Sequence, residues 1–160
     1  MTIRVGAFGA AGIAAMLAAT PTSAMADCRN DAVRVAGDFG TVTFEVEVAD
    51  DNAERARGLM FVEEMGTFEG MLFVYDAPQR ASFWMRNTLI PLDMLFVSPD
   101  GTVAKVHANA VPLDESSIFG GDDIRYVLEI NGGIAARLGI EAGDMLQHPA
   151  IGPNPVMPCD

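Results

Sequence analysis

Positive charge is scarce in this chain. Its 160 residues include ten Lys and Arg against 22 Asp and Glu, which gives a net charge of −12 at pH 7. A surface with this charge repels phosphate backbones and anionic lipid headgroups. Nucleic acids and membrane surfaces are therefore not expected as partners.

Residues that commonly carry catalysis or bind metals are also few. His107 and His148 are the only histidines, and they lack the close spacing of zinc ligands. The sequence contains neither a nucleophile elbow nor a Gly-rich phosphate loop, and no serine has a local base. These absences favour a non-enzymatic protein and predict no metal or organic cofactor.

The first 26 residues have the layout of a secretory signal. Arg4 precedes an apolar run over residues 5–19, and small residues end the segment at Ala24 and Ala26. We expect cleavage after Ala26 and a periplasmic or secreted domain with nine cations, 22 acids and a charge of −13. An uncleaved anchor is the alternative, although the run is shorter than the roughly 20 strongly apolar residues of a membrane span.

The two cysteines, Cys28 and Cys159, lie near the two ends of the mature chain. In an oxidising compartment an even pair of cysteines favours a disulfide. Such a bond would close almost the whole domain into one loop, a stabilisation of about 4–5 kcal/mol at most in the chain-entropy description. Two free thiols on disordered ends are the alternative.

Alternating and continuous apolar segments predict a chain made mostly of strands. Residues 41–48 alternate polar and apolar side chains, and the turn residues at 37–40 and 98–101 predict two hairpins. The segments predicted as strands are 32–36, 41–48, 70–75, 94–97, 102–108, 123–130 and 145–148.

Two short helices complete the prediction. Asp51 and Glu54 form a capping-box pattern ahead of a helix at 52–58, and a second helix at 133–138 ends at Gly139. The strands rarely alternate with helices, so we expect a compact, mostly antiparallel β-barrel or sandwich-like domain over residues 27–160. Residues 149–160, rich in proline, are expected to form an extended tail.

Four sequence blocks occur in a characteristic order. They are Arg57-Gly58-Leu59-Met60, Gly70-Met71-Leu72-Phe73, Phe83-Trp84-Met85-Arg86-Asn87-Thr88 with Pro91-Leu92-Asp93, and Val127-Leu128-Glu129 followed by Gly139 and Gly143-Asp144. Together they resemble the domain of unknown function 192 (DUF192) family over residues 40–148. The resemblance implies a small, mainly β domain, often secreted and without an established activity. Family members more often have lysine at the position of Arg86, so chemistry that needs a lysine amine is not expected.

The segment 83–93 holds the only tryptophan among polar and apolar neighbours. If it is extended, Trp84, Arg86 and Thr88 share one face and the guanidinium lies along the indole. Such a pair suits an anionic ligand, a sugar or a protein partner. Alternatively, Trp84 closes one end of the core and Arg86 covers it.

Asp93 and Glu129 are acids within apolar strands, so each needs a partner. We expect Arg86, Arg57 or turn amides near Asn87 to meet Asp93, and Arg125 to meet Glu129. If both carboxyls shared one pocket, they could act as acid and base with Arg86 as an electrophilic stabiliser in a small hydrolase or isomerase. Separate structural pairs are the favoured alternative.

Seven methionines remain after signal cleavage, which raises copper(I) as a soft-metal possibility. Most of them stand beside apolar residues, where methionine ordinarily fills gaps, so packing is favoured. The acids Asp114, Glu115, Asp122 and Asp123 flank residues 116–121, which we expect to be a solvated loop because the spacing lacks a calcium-binding pattern.

The leading hypothesis is a non-catalytic binding or accessory domain of the periplasm or the extracellular space. An acid–base enzyme and a copper carrier are the alternatives. The predicted ligand-binding residues are Trp84, Arg86, Asn87, Thr88, Asp93, Arg57 and Glu129.

Overall fold

A computed structural model describes residues 28–159. The predicted signal segment and its cleavage site after Ala26 lie outside the described residues. Within residues 28–159, no helix is long and apolar enough to cross a membrane.

The described chain forms seven strands and two short helices. In chain order they are β1 (Ala32–Gly37), β2 (Gly40–Ala49), α1 (Asn52–Arg57), β3 (Glu69–Phe83), β4 (Leu92–Val97), β5 (Val103–Ala110), β6 (Ile118–Asn131), α2 (Ile134–Leu138) and β7 (Met145–Gln147). Strands account for 48% and helices for 8% of residues 28–159, which confirms the mainly β prediction with two short helices.

All seven strands belong to one sheet with the order β5-β4-β6-β3-β2-β1-β7. Every pair of neighbouring strands is antiparallel except β2 and β3, which run parallel and are joined by α1 and residues 58–68. The sheet curls into a half-barrel. Its two edges meet where Thr102 pairs with Met145 and the Leu146 amide donates to the Gly101 carbonyl.

The capping box predicted for α1 is confirmed. The Asp51 carboxylate accepts from the Ala53 and Glu54 amides, and the Glu54 carboxylate accepts from the Asp51 amide. Gly58 follows with a positive φ of 49° and ends the helix. The crossover packs on one face of the sheet, where Leu59 clusters with Ala49 of β2 and with Met71 and Phe73 of β3.

Two strands are longer than the sequence indicated. β3 continues to Phe83 and β6 begins at Ile118, and the two pair along this extension with several register shifts. The prediction of an exposed acidic loop over residues 116–121 was therefore wrong for residues 118–121. Local alternation failed to indicate these segments because the bulges interrupt the two-residue period. Asp122 lies in β6, where its carboxylate is 3.0 Å from Arg80 Nη1.

The sheet packs a different core on each face. The inner core contains buried residues from all seven strands and from α2, so it fills the inside of the curl. The outer core draws on β2 to β6 and is covered by residues of the segments 59–65 and 83–90. Inner-core members include Val33, Phe44, Leu72, Leu95, Leu128, Ile130, Leu146 and Ile151. Outer-core members include Leu59, Met71, Phe73, Met85, Leu92, Met94, Phe96 and Val127.

The two ends of the described chain are joined covalently. Cys28 and Cys159 form the predicted disulfide, with 5.6 Å between their Cα atoms and a sequence separation of 131. His148 lies nearby and contacts both terminal segments, because its Nε2 donates to the Asn30 carbonyl and its Nδ1 accepts from the Ala150 amide. Burial lowers the pKa of His148, although the contact with Asn30 opposes the shift. Both ring nitrogens are already hydrogen-bonded in this arrangement.

Candidate functional site

Asp93 is fully buried on the inner face of β4. Its Oδ1 accepts from the amides of Asn109 (2.8 Å) and Gly133 (2.9 Å), and its Oδ2 accepts from the amide of Ala135 (2.8 Å). The predicted partners Arg86, Arg57 and the amides near Asn87 were wrong. Asp93 instead joins β4 to the end of β5 and to the start of α2, which is a structural role.

Glu129 lies on the opposite face of the sheet from Asp93. Asp93 pairs with Ile130 of β6 and Met94 pairs with Glu129. Because neighbouring residues of a strand point to opposite faces, Asp93 faces the inner core with Ile130, and Glu129 faces the outer core with Met94. The prediction that both carboxyls share a pocket is wrong, and the acid–base mechanism that required it has no basis in this fold.

The Glu129 side chain is only 4% exposed and no described cation pairs with it. Burial raises the pKa of this carboxyl to about 8, so the neutral acid is the main form at pH 7. The expected partner Arg125 was wrong: its guanidinium lies 5.7 Å from the Tyr126 ring centroid. Burial also raises the pKa of Tyr75, an effect that Arg55 opposes and that the charge of Glu129 increases. Glu129 is therefore a buried titratable group without a stabilising partner.

Trp84 and Arg86 form the predicted pair. The Arg86 Cζ lies 5.3 Å from the Trp84 ring centroid, and Trp84 is 46% exposed. The extended geometry predicted for the segment was wrong beyond Phe83, where β3 ends. A turn follows at Arg86 and Asn87, and Asn87 has a left-handed backbone with φ of 54°. The turn leaves Thr88 buried, at 5% exposure.

Three loops meet around this pair through backbone hydrogen bonds. The Phe61 amide donates to the Asn87 carbonyl, and the Leu113 amide donates to the Thr88 carbonyl. The Met85 amide donates to the Asp114 carbonyl. We call the exposed side chains of these loops the loop surface: Phe61, Trp84, Arg86, Leu89, Val111 and Leu113.

The backbone of the loop surface is strained. Phe61 and Leu113 have φ of 66° and 63°, and their side chains are 65% and 59% exposed. Left-handed backbone is unfavourable for bulky L residues by about 1–2 kcal/mol. No local sequence pattern indicates either residue, because an apolar residue near a turn is equally compatible with burial.

A cleft of about 750 Å³ opens between the crossover and strands β2 and β3. Its apolar walls include Leu59, Val62, Met65 and Met71. Arg57 is the one cation among the lining residues, against the six acids Asp31, Glu45, Glu47, Glu54, Glu64 and Glu69. These acids come from several parts of the chain, so the strongly negative cleft could not be identified from the sequence.

The predicted site residues therefore divide among four places. Trp84, Arg86 and Asn87 lie in the hydrogen-bonded loops, Arg57 lines the cleft, Glu129 lies under the outer core, and Asp93 faces the inner core. No group of three or more His, Cys, Asp or Glu side chains arranged to hold a metal occurs in residues 28–159.

Residues 33–148 match the model of the DUF192 family, described as Uncharacterized ACR. The chain belongs to the DUF192 family. The match starts earlier than the resemblance over residues 40–148 and ends at the same residue, and it includes every strand residue except Ala32.

Two solved structures are similar to this DUF192 domain. A protein of unknown function from Novosphingobium aromaticivorans DSM 12444 is 47% identical, with a TM-score of 0.71 over 83% of this chain and 93% of that one. A protein from Sinorhizobium meliloti 1021, described as a proposed transcription regulator, is 39% identical, with a TM-score of 0.73 over 78% and 98% of the two chains. No curated protein is significantly similar.

Proposed function

We propose that this DUF192 protein is an exported, non-catalytic binding domain and that the loop surface recognises its partner. The observation that carries the proposal is the pair Phe61 and Leu113, two bulky apolar residues that are exposed and left-handed. Neither exposure of apolar area nor backbone strain stabilises the free domain. Contact with a partner would offset both.

The charges favour an anionic apolar partner. Arg86 is exposed beside Trp84, and neither of the ion pairs in residues 28–159 involves it. A guanidinium next to an aromatic ring suits a carboxylate attached to an aromatic or aliphatic group. A protein segment that presents a carboxylate beside an apolar side chain has this chemistry.

Nucleic acid is a poorer match for this domain. Although one relative is described as a proposed transcription regulator, the mature chain predicted here carries a charge of −13. A phosphate backbone would approach it against this repulsion. Protein recognition outside the cytoplasm is better supported, because the leader pattern and the terminal disulfide both fit an oxidising compartment.

The single tryptophan makes the proposal directly measurable. We expect N-acetyl-phenylalanine to change the fluorescence of Trp84 in the mature protein, and we expect the corresponding uncharged amide to bind at least about tenfold more weakly because it lacks the carboxylate. Arg86→Ala should abolish this preference. Arg80→Ala is the matched control, because Arg80 also lies over an exposed ring, that of Phe119, at 4.5 Å.

Two results would contradict the proposal. The first is equal binding of the acid and the amide by the wild type. The second is an equal loss of binding in the Arg86 and Arg80 variants, which would indicate a nonspecific charge effect.

A further inference from the structure

The methionines are segregated between the two cores. Met71, Met85 and Met94 belong to the outer core, and Met65 packs against it. The inner core contains no methionine among its described members, although it is the larger cluster and draws on all seven strands. If methionine served only to fill gaps, we would expect it on both faces.

Two of these methionines flank the unpaired carboxyl of Glu129. Met71 of β3 and Met94 of β4 each pair with Glu129 of β6, from opposite sides, and all three point to the outer face. They are 8%, 0% and 4% exposed, respectively. Adjacent strands lie roughly 5 Å apart, so two long thioether side chains can bring their sulfurs together above the carboxyl.

The two thioethers of this donor set have a clear chemical preference, and the carboxylate contributes negative charge. Thioethers are soft ligands that favour copper(I) over calcium, magnesium or zinc. Copper(I) would replace the proton of the Glu129 carboxyl, which leaves to solvent, so the buried carboxylate and its monovalent cation would together remain electrically neutral. We propose that Met71, Glu129 and Met94 form a binding site for copper(I).

The neighbouring residues give the site an entrance. Met71 lines the acidic cleft and pairs with the exposed Glu47 on β2. The negative charge of the cleft would raise the local concentration of a cation, and Met71, which lines the cleft, would be the first ligand to bind it. On the opposite side of Met94 from Glu129, the half-buried His107 of β5 pairs with Met94 and could supply a nitrogen ligand.

Competition for copper(I) tests the site without any knowledge of activity. The mature protein would be titrated anaerobically with copper(I) in the presence of bicinchoninate, and we expect one copper per chain. Met71→Leu and Met94→Leu conserve volume and apolar character, so both variants should fold while binding copper(I) at least tenfold more weakly. Glu129→Gln should weaken binding similarly because it removes the compensating negative charge.

The matched controls are Met145→Leu and Met157→Leu, because both methionines lie outside the outer core. These variants should bind copper(I) like the wild type. The proposal is overturned if the wild type holds no copper against the chelator, or if the control variants lose as much affinity as Met71→Leu.

A second measurement remains informative if a variant folds poorly. Silver(I), which has no redox chemistry under these conditions, should raise the thermal midpoint of the wild type, and X-ray absorption of the copper(I) complex should show sulfur together with an oxygen or nitrogen ligand. An unchanged midpoint with silver(I), or a metal environment without sulfur, would contradict the site. Arg86→Ala should bind copper(I) normally, so failure of this site and failure of the loop surface can be told apart.

Discussion

The two faces of one sheet bury acids in opposite ways. On the inner face, Asp93 accepts three backbone hydrogen bonds and connects β4 to the end of β5 and to α2. On the outer face, Glu129 lies between two methionines, and its buried carboxyl has a pKa of about 8. Both residues are carboxylic acids on neighbouring strands. They differ in the face of the sheet on which they lie, and this difference makes Asp93 a structural residue and Glu129 a candidate ligand.

The same contrast extends to the surroundings of the two cores. The inner core draws on all seven strands and on Ile151 beyond β7, and a disulfide joins the two ends of the described chain. The outer core borders an acidic cleft and loops with strained, exposed apolar residues. The inner face is therefore the more enclosed of the two, and the cleft and the exposed apolar loops lie beside the outer core.

The largest expected effect is on the inner face. Asp93→Ala should lower the free energy of unfolding by about 4 kcal/mol, because it leaves three amides without an acceptor. Asp114→Ala is the control, since Asp114 is exposed and accepts from the Ser116 amide, and it should change stability by less than about 1 kcal/mol. Urea unfolding measures both. A loss for Asp93→Ala no larger than for the control would show that its three hydrogen bonds contribute little.

Removal of the disulfide should have the next largest effect. A Cys28→Ser and Cys159→Ser double variant should be about 3 kcal/mol less stable, because its unfolded chain is no longer closed into a loop. Dithiothreitol should destabilise the wild type and leave the double variant unchanged. The copper(I) affinity of the double variant, measured below its unfolding transition, should equal that of the wild type. A loss of affinity in this variant would show that the outer-core site depends on the disulfide.

The pH dependence of the free energy of unfolding should report on the buried carboxyl of Glu129. Folding raises the pKa of Glu129 from 4.5 to about 8, so the folded state retains a proton that the unfolded state has lost. The stability associated with this proton is complete below about pH 4.5 and declines as the pH rises through about 8.

Glu129→Gln should remove this decline in metal-free protein. Between pH 5 and pH 9, the free energy of unfolding of the variant should rise by about 2 kcal/mol relative to that of the wild type. This is less than the full pKa shift of Glu129 implies, because water can reach a site beside an open cleft. Chemical unfolding at several pH values provides the comparison. Parallel pH profiles for the two proteins would mean that Glu129 is not held neutral by the fold.

The smallest effect concerns the strained loops. Leu113→Gly should be neutral or stabilising by up to about 1 kcal/mol, because glycine adopts a positive φ without strain. Val111→Gly is the matched control, since Val111 is also exposed but is not among the residues with positive φ. Val111→Gly should lower the free energy of unfolding by about 1 kcal/mol. Equal losses in thermal unfolding would show that Leu113 is not strained.

Several features were predictable because their causes lie close together in sequence. Asp51 and Glu54 are three residues apart and form the predicted capping box, and the alternation over 41–48 corresponds to β2. Trp84 and Arg86 are two residues apart, and their contact was also anticipated. The cysteine pair is the exception, because its bond was inferred from the compartment and the even count instead of from proximity.

The environment of each buried acid depended on distant residues. The partners of Asp93 come from 16, 40 and 42 residues away, which no local pattern reports. The extensions of β3 and β6 were missed because bulges interrupt their alternation, although pairing between the two strands supplies the hydrogen bonds.

The sequence by itself determined the family, most strand positions, the capped helix and the cysteine pair, since these follow from short-range periodicity, spacing and composition. Only the tertiary structure decided that Asp93 and Glu129 face opposite cores, and that Met71 and Met94 flank Glu129. The physical reason is strand register: a shift of one residue exchanges the two faces of a strand, and register is set by contacts among strands that lie far apart in the chain.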